Sequence, residues 1–280
     1  WPATASRSVA KKVRKVSQQS DHIRRIAIIL GPGSGSRYLL DQLHPLLAAD
    51  RDIEIQGVFL EEAGVQHAAE LPFVKELCRI TFAVREFDSE QFERTLALRM
   101  RSARRALSVL ADHSGAALSF RNVRGSAVGL LLETLRDADL TLFEPARPRV
   151  AAAITPPGRS GHKPWIAALV RDVQSARVVL SAAVQLAGGD LDRIAVLLKP
   201  APGTDGDELR SSFRAFLPGK PGHVRSIAQG DLGDMALSVR ELLASMLVVP
   251  AMVETIDEKD LQFLLGQIRC PVCLVRDWGE

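Results

Sequence analysis

The chain has 280 residues, of which 46% are hydrophobic, 25% are charged and 5% are aromatic. This is the composition of an ordinary globular protein, and it excludes an intrinsically disordered chain and a collagen-like fibre. Lysine and arginine together number 36 against 33 aspartates and glutamates, a net charge of +3. So balanced a charge does not indicate nucleic-acid binding over the whole surface.

Residues 1–25 are predicted to form a basic N-terminal arm, with seven lysines and arginines and a single acid, Asp21. The densest group of bases is Lys11, Lys12, Arg14 and Lys15. One interpretation is an arm that lies on an anionic membrane surface. The interpretation that we favour is a solvated tail or helix leading into the first strand. The sequence contains no apolar run of about 18 residues, so it predicts no membrane span.

The first half of the chain alternates between predicted strands and predicted helices. Strands are expected over 26–30, 53–60, 118–123 and 140–143, and helices over 34–47, about 68–77, 89–113 and 126–136. The turn after the first strand is rich in glycine and serine. Residues 145–164 contain five prolines and two glycines and are predicted to be a linker.

The second half repeats this pattern. Strands are predicted over 165–170, 194–198, 224–228, 246–249 and 271–275, and helices over 175–187, 208–216, 232–243 and 257–268. Such alternation predicts an α/β fold with a parallel sheet that helices cover on both faces. Residues 123–126 and 138–142 align with 228–231 and 244–248, which indicates an internal duplication.

The order of these motifs resembles the universal stress protein family in its tandem two-domain form. The second half carries most of the resemblance, with a strand ending at Asp172, a Gly230-Asp231 pair before a helix, and the final segment Cys270-Pro271-Val272-Cys273-Leu274-Val275. The resemblance implies two open parallel sheets of strand order 3-2-1-4-5, over residues 26–144 and 165–280, packed as a pseudo-dimer. The first half matches more loosely and has no evident final helix and strand of its own.

The resemblance also implies where a nucleotide would bind. Family members that bind ATP use an acidic residue after the first strand for adenine, and a glycine loop after the fourth strand for the phosphates. Asp172 matches the acidic position in the second half, whereas Gly31 stands there in the first half. Phosphate binding requires the close backbone approach that glycine allows, and neither half has the glycine loop. We therefore predict no cofactor, with ATP or another adenine nucleotide as the alternative.

A second candidate ligand site is the turn that contains Gly31, Gly33, Ser34, Gly35 and Ser36. It lies between the carboxyl end of a strand and a helix, which is where open α/β sheets bind ligands. It lacks the Lys-Ser/Thr pair of a Walker loop and the third spaced glycine of a dinucleotide fingerprint. The simpler interpretation of this turn is a connection whose serine caps the next helix. The simpler interpretation of Asp172 is likewise a cap, for the helix near Ser175.

Other chemistry finds little support in the sequence. Cys270 and Cys273 have redox spacing, but residues three apart in a strand point to opposite faces, so we predict two buried structural cysteines. No two histidines have metal-ligand spacing, and no Gly-x-Ser-x-Gly elbow is present.

The arginines of the helix over 89–113 are predicted to form a solvated face and to pair with nearby acids. Because no aromatic residues interleave with these arginines, nucleic acid is not an expected partner.

These features predict a non-enzymatic, stress-related regulatory or scaffold protein of the bacterial type, which acts in the cytoplasm through protein–protein contacts. One alternative is a nucleotide or anion sensor that binds its ligand at the carboxyl ends of the strands. Another is a cytoplasmic regulatory domain associated with a membrane protein, or peripheral to the inner face of a membrane. The identity of the protein partner and the formation of a homodimer are left open.

Overall fold

The computed structural model describes residues 23–32, 36–49, 52–71, 73–77, 81–145, 164–227, 232–251 and 256–276. Its strands are β1 (Arg25–Leu30), β2 (Glu54–Glu62), β3 (Lys75–Leu77), β4 (Val84–Glu86), β5 (Ala117–Gly125), β6 (Leu140–Phe143), β7 (Ile166–Val170), β8 (Ile194–Leu198), β9 (His223–Ser226), β10 (Met246–Pro250) and β11 (Val272–Val275). Its helices are α1 (Ser36–Asp41), α2 (His44–Ala49), α3 (Ala63–Ala69), α4 (Ser89–Ser114), α5 (Ala127–Asp137), α6 (Val173–Leu186), α7 (Gly206–Ser212), α8 (Leu232–Glu241) and α9 (Glu258–Gln267), with short 3-10 turns at Leu191–Arg193 and Phe213–Phe216.

Nine of these strands form one continuous sheet in the order β5-β2-β1-β6-β11-β10-β7-β8-β9, and β3 and β4 form a separate hairpin. Every neighbouring pair in the large sheet is parallel except β6 and β11, which are antiparallel. The predicted α/β class with a mainly parallel sheet is therefore confirmed.

The expectation of two separate sheets, each of order 3-2-1-4-5, is wrong in its details. The second half does have that order, but the first half provides only four strands, in the order 3-2-1-4. Because the first half has no fifth strand, β11 pairs with β6 and joins both halves into one sheet.

The two halves keep the same backbone register at matching positions. The Asp139 N–H donates to the carbonyl of Arg25 at 2.9 Å, and the Ser245 N–H donates to the carbonyl of Trp165 at 2.7 Å. This is the part of the internal match that covers 138–142 and 244–248. The other part includes residues 228–231, which lie outside the described residues. Residues 1–22 and most of the predicted linker also lie outside them. The predicted domain boundaries therefore stay a prediction.

The core consists of two apolar layers, one on each face of the sheet. Helices α1, α2, α4 and α6 cover one face, with Leu43, Leu107 and Val179 among its fully buried side chains. Helices α5, α8 and α9 cover the other face. The central strands are buried on both sides, which explains their nearly continuous apolar sequences.

Helix α4 lies directly against β2 because of a glycine. A Cβ atom at Gly57 would lie 2.5 Å from Leu107 Cδ1 and 2.8 Å from Phe120 Cδ2, so a larger residue here would force these side chains to move. The helix begins with the Asp88 side chain, which accepts the Gln91 N–H at 2.9 Å. It ends at Gly115, whose φ of 74° is the left-handed conformation that glycine adopts without strain.

Two predicted helices of the first half are corrected by the structure. The single helix expected over 34–47 is two short helices, α1 and α2, because Pro45 fits only the first turn of a helix. The helix expected over about 68–77 instead ends at Ala69 as α3, and the hairpin of β3 and β4 follows. Pro72 stops that helix, and the apolar residues after it have the composition of strands.

A single carboxylate connects the strands on both sides of the antiparallel pair. Asp139 Oδ2 accepts the N–H groups of Arg24 and Arg25, each at 2.9 Å, and its Oδ1 accepts Arg276 Nη2 at 2.9 Å. The Arg276 N–H also donates to the Asp139 carbonyl at 3.0 Å. Asp139 thereby ties the start of β1 and the start of β6 to the end of β11.

We expect Asp139→Ala to lower the free energy of unfolding by about 2–4 kcal/mol, because it removes the side-chain acceptor of two partly buried N–H groups and the carboxylate partner of the Arg276 guanidinium, which then keeps the Arg136 carbonyl. Urea denaturation measures this change. Asp112→Ala, on the exposed side of α4, is the matched control and should change stability by no more than about 0.5 kcal/mol. Equal losses in the two variants would contradict a special role for Asp139.

Cys270 and Cys273 are both buried, which agrees with the prediction of structural cysteines. Burial raises the pKa of the Cys273 thiol far above its ordinary value of 9.0. The folded protein therefore keeps this thiol protonated and unreactive.

Stability should fall as the pH rises through about 9, because the unfolded chain then releases the Cys273 proton while the folded chain retains it. Between pH 8 and pH 10, we expect Cys273→Val to lose about 1.4 kcal/mol less stability than the wild type. Urea denaturation at both pH values gives the difference, and the values at pH 7 correct for the packing effect of the substitution. The same pH dependence in both proteins would show that Cys273 ionises in the folded state.

Candidate interaction surface

The structure gives Asp172 the role of a helix cap. Its Oδ1 accepts the Ser175 N–H at 2.7 Å, and Ser175 Oγ accepts the Asp172 N–H at 3.2 Å. This reciprocal arrangement is a capping box at the start of α6. The carboxylate that the resemblance assigns to adenine therefore accepts one backbone N–H at the start of the helix, and the Ser175 hydroxyl accepts the N–H of Asp172 in return.

The glycine-rich turn is only partly described. Gly31 follows β1 and Ser36 begins α1, whereas Gly33, Ser34 and Gly35 lie outside the described residues. Arg99, from α4, donates to the carbonyl of Pro32 and connects the turn to that helix. Helix α1 has only six residues, so it offers a weak dipole to an anion.

The sheet keeps the two predicted ligand sites apart. The first-half strands run antiparallel to the second-half strands across the β6–β11 pair. The carboxyl ends of β1 and β7 are consequently at opposite edges of the sheet. Asp172 and the turn at 31–36 therefore cannot contribute to one common site.

The arginines of α4 contact their own chain. Arg94 pairs with Glu90 at 2.9 Å, Arg101 donates to the carbonyl of Ala97 at 3.3 Å, and Arg104 lies over the Phe120 ring at 6.0 Å.

Within the described parts of the chain, no three His, Cys, Asp or Glu side chains come together as metal ligands would. The helices described here include none whose length and apolar character would suit a membrane crossing.

The most unusual surface lies in the segment between β2 and α4, residues 63–86, which we call the insertion. Its hairpin pairs Lys75 with Glu86 and Leu77 with Val84, so these four side chains share one face. The other face carries the ion pair of Glu76 and Arg85, at 2.8 Å. The hydrogen bond from Arg85 lowers the pKa of Glu76. All six residues of the two strands are exposed.

Large apolar side chains are concentrated on this insertion. Among the residues that the structure describes, twelve large apolar side chains are exposed, and six of them lie between positions 65 and 84. Phe73 is 88% exposed and Phe82 is 75% exposed. We call the six side chains the insertion surface: Val65, Leu71, Phe73, Leu77, Phe82 and Val84.

Two physical features distinguish the insertion surface from scattered surface residues. An isolated two-stranded ribbon is at best marginally stable in water, and here each strand has only three residues. Phe82 also has a φ of 55°, a left-handed conformation that is unfavourable for a bulky residue. A covering partner would bury the apolar surface and stabilise the ribbon, and concentrated apolar exposure commonly marks such an interface.

A buried carboxylate anchors the insertion to the sheet. The Glu61 side chain is only 10% exposed, and it accepts hydrogen bonds from Gln66 Nε2 at 2.7 Å, Asn122 Nδ2 at 2.6 Å and Arg124 Nη2 at 3.4 Å. These bonds join α3 to the ends of β2 and β5. The start of the insertion is therefore tied to the sheet.

The insertion surface is not among the features predicted from the sequence. Its apolar residues have neither the helical period nor a strand long enough to show alternation. The sequence does show that the segment on both sides of Pro72 is rich in phenylalanine, leucine and valine. These residues follow neither a helical nor a strand-like pattern, and this could have indicated an exposed apolar surface.

No protein-family model matches the chain, and no curated protein matches it at a significant level. The chain resembles universal stress proteins over about 90% of its length. A universal stress protein from Archaeoglobus fulgidus DSM 4304 is 11% identical, with a TM-score of 0.45, over 90% of this chain and 96% of that one. A putative universal stress protein from Pseudomonas aeruginosa UCBPP-PA14 is 13% identical, with a TM-score of 0.44, over 91% and 93% of the two chains.

The cytoplasmic domain of a prokaryotic cation chloride cotransporter is also similar, with 8% identity and a TM-score of 0.44 over 92% of this chain and 98% of that one. At such low identity, these similarities concern the course of the backbone. They do not indicate which ligand or partner this chain binds.

Proposed function

We propose that this protein is a non-enzymatic regulatory or scaffold protein that acts by contact with another protein, and that the insertion surface makes this contact. The observation that carries the proposal is the concentration of six of the twelve exposed large apolar side chains of the described residues in one segment of 20 residues. Glu61 ties α3, at the start of the insertion, to the sheet through Gln66 and Asn122.

A sensor for nucleotides or anions is less well supported by the local geometry. The Asp172 carboxylate caps α6, and the glycine-rich turn leads into a helix of only six residues. The sequence also lacks the glycine loop that would hold phosphates after the fourth strand of each half. An adenine nucleotide therefore stays the alternative cofactor, and our proposal does not require one.

The proposal places the protein in the cytoplasm. The low and odd number of cysteines, three in the chain, supports a reducing compartment, because small secreted proteins commonly carry many cysteines paired in disulfides. We also propose that residues 26–144 and 165–280 are the two units of a tandem arrangement. The four clustered bases of the arm, which would serve a role at a membrane surface, lie outside the described residues.

Photo-crosslinking from the insertion surface in living cells tests the proposal. We expect p-benzoylphenylalanine in place of Phe73 to give a discrete adduct at least fivefold stronger than the same probe in place of Val109. Val109 is the matched control because it is also an exposed apolar residue but lies on α4. Equal labelling from the two positions, or none from position 73, would contradict a specific contact by the insertion.

A further inference from the structure

We propose that a cavity between α8 and α9 binds a small carboxylate with an apolar body. The cavity has a volume of about 390 Å³, which lies within the range of small-molecule sites. Both helices line it, together with residues that lead into β10 and β11. It shares no residue with the insertion surface, so this inference goes beyond the proposed function.

The cavity lies at the edge of the sheet opposite to Asp172. Ala244 and Cys270 line it, and each comes two residues before a strand, so the cavity is at the amino ends of β10 and β11. Asp172 follows the carboxyl end of β7, which is parallel to β10. The cavity is therefore a different place from the nucleotide position that the family resemblance implies.

The cavity has apolar walls. Leu237 and Val239 of α8 and Phe263 of α9 line it. Leu237 is 55% exposed and Phe263 is half-buried, so both still present apolar surface to water. A ligand that covers this surface removes it from water, which favours binding.

Two arginines give one end of the cavity a positive charge. The strands on either side of α8 and α9 are parallel, so both helices end at the same edge of the sheet. Arg240, near the end of α8, and Arg269, two residues after α9, therefore lie at one end of the cavity. Both are exposed, and Arg269 forms no ion pair with the described residues. Guanidinium groups bind carboxylates through two parallel hydrogen bonds.

The acid of the cavity lies away from these arginines. Asp234 lines the cavity and precedes Arg240 by six residues on α8, a rise of about 9 Å. Leu237 lies between them on the helix. This order fits a ligand whose carboxylate meets Arg240 and Arg269 and whose apolar body extends towards Leu237 and Phe263.

Gly266 keeps the cavity open on the side of α9. It lies in the last turn of that helix and has no left-handed φ. A Cβ atom added there would meet no atom of the described residues within 4 Å. Glycine weakens a helix relative to alanine, and neither the backbone nor the packing requires it at this position. Its missing side chain leaves space that a ligand can fill.

A strained leucine lies beside the cavity. Leu243 has a φ of 52°, and its side chain is 65% exposed. Its N–H donates to the Arg240 carbonyl at 3.1 Å, and the Ala244 N–H donates to the Val239 carbonyl at 3.3 Å. Helices that end in this way usually have glycine where Leu243 stands. The leucine therefore adds exposed apolar surface next to the cavity at a cost in backbone strain.

NMR titration of the ¹⁵N-labelled full chain with octanoate tests the inference. We expect saturable shifts of the amide signals of residues 236–240 and 266–270, with a Kd of about 0.1–1 mM, a suitable affinity for a ligand of about ten heavy atoms. The neutral 1-octanol and the cationic octylammonium should bind there about fivefold more weakly or less, because neither has a carboxylate for the arginines.

Two substitutions locate the ligand. Arg269→Gln should raise the octanoate Kd about fivefold or more and leave the octanol Kd unchanged, because it removes only the charged contact. Gly266→Leu should fill the cavity, so that octanoate no longer shifts the signals of the lining amides. Its Tm should not fall, because leucine is a better helix former than glycine.

Each substitution has a matched control. Arg214→Gln removes an exposed arginine outside the cavity. Gly64→Leu changes a glycine of α3 where an added Cβ also meets no described atom within 4 Å. Both variants should bind octanoate as the wild type does. Phe73→Ser/Phe82→Ser should do so as well, which separates this site from the proposed function of the insertion surface.

Three results would overturn the inference. The first is a wild-type chain whose lining amides show no saturable shift up to about 10 mM octanoate, well above the expected Kd. The second is octanol or octylammonium that binds as tightly as octanoate, which would exclude a carboxylate as the ligand. The third is a folded Gly266→Leu variant that binds octanoate as the wild type does, which would exclude the cavity as the site.

Discussion

The antiparallel pairing of β6 with β11 is the constraint on which the rest of this structure depends. It converts two sets of parallel strands into one sheet of nine, and Asp139 and Arg276 connect the strand ends across it. Without this pairing, β6 would be an exposed edge of the first half, although all four of its residues are buried. The fifth-strand position of the first half is thus filled by the end of the chain.

The same pairing decides where chemistry is possible. Because the strands of the two halves run in opposite directions, their carboxyl ends lie at opposite edges, and the strand carboxyl ends at each edge come from one half only. At one edge, Asp172 is engaged in a capping box. At the other, the glycine-rich turn is joined to α4 through Arg99. The first-half edge also has the insertion, which Glu61 ties to the end of β2 through Gln66.

Much of the fold could be predicted from the sequence, because strands buried on both faces are continuous apolar runs bounded by turn residues. Ile26 to Leu30 and Ile194 to Leu198 show this directly. Asp172 could be recognised as a helix cap because it lies three residues before Ser175 in the sequence. The shared use of β11 could not be predicted, because pairing between distant strands leaves no local pattern. The hairpin was missed because its three-residue strands are exposed on both faces and carry no periodicity.

Affinity purification of the full chain from cells, followed by quantitative mass spectrometry, tests the central claim most directly, namely that the insertion surface contacts another protein. The account predicts that Phe73→Ser/Phe82→Ser loses at least one co-purifying protein at least tenfold. Leu98→Ser/Val109→Ser, which removes two exposed apolar side chains from α4, should retain that protein. A set of co-purifying proteins that is the same in both variants would contradict the account.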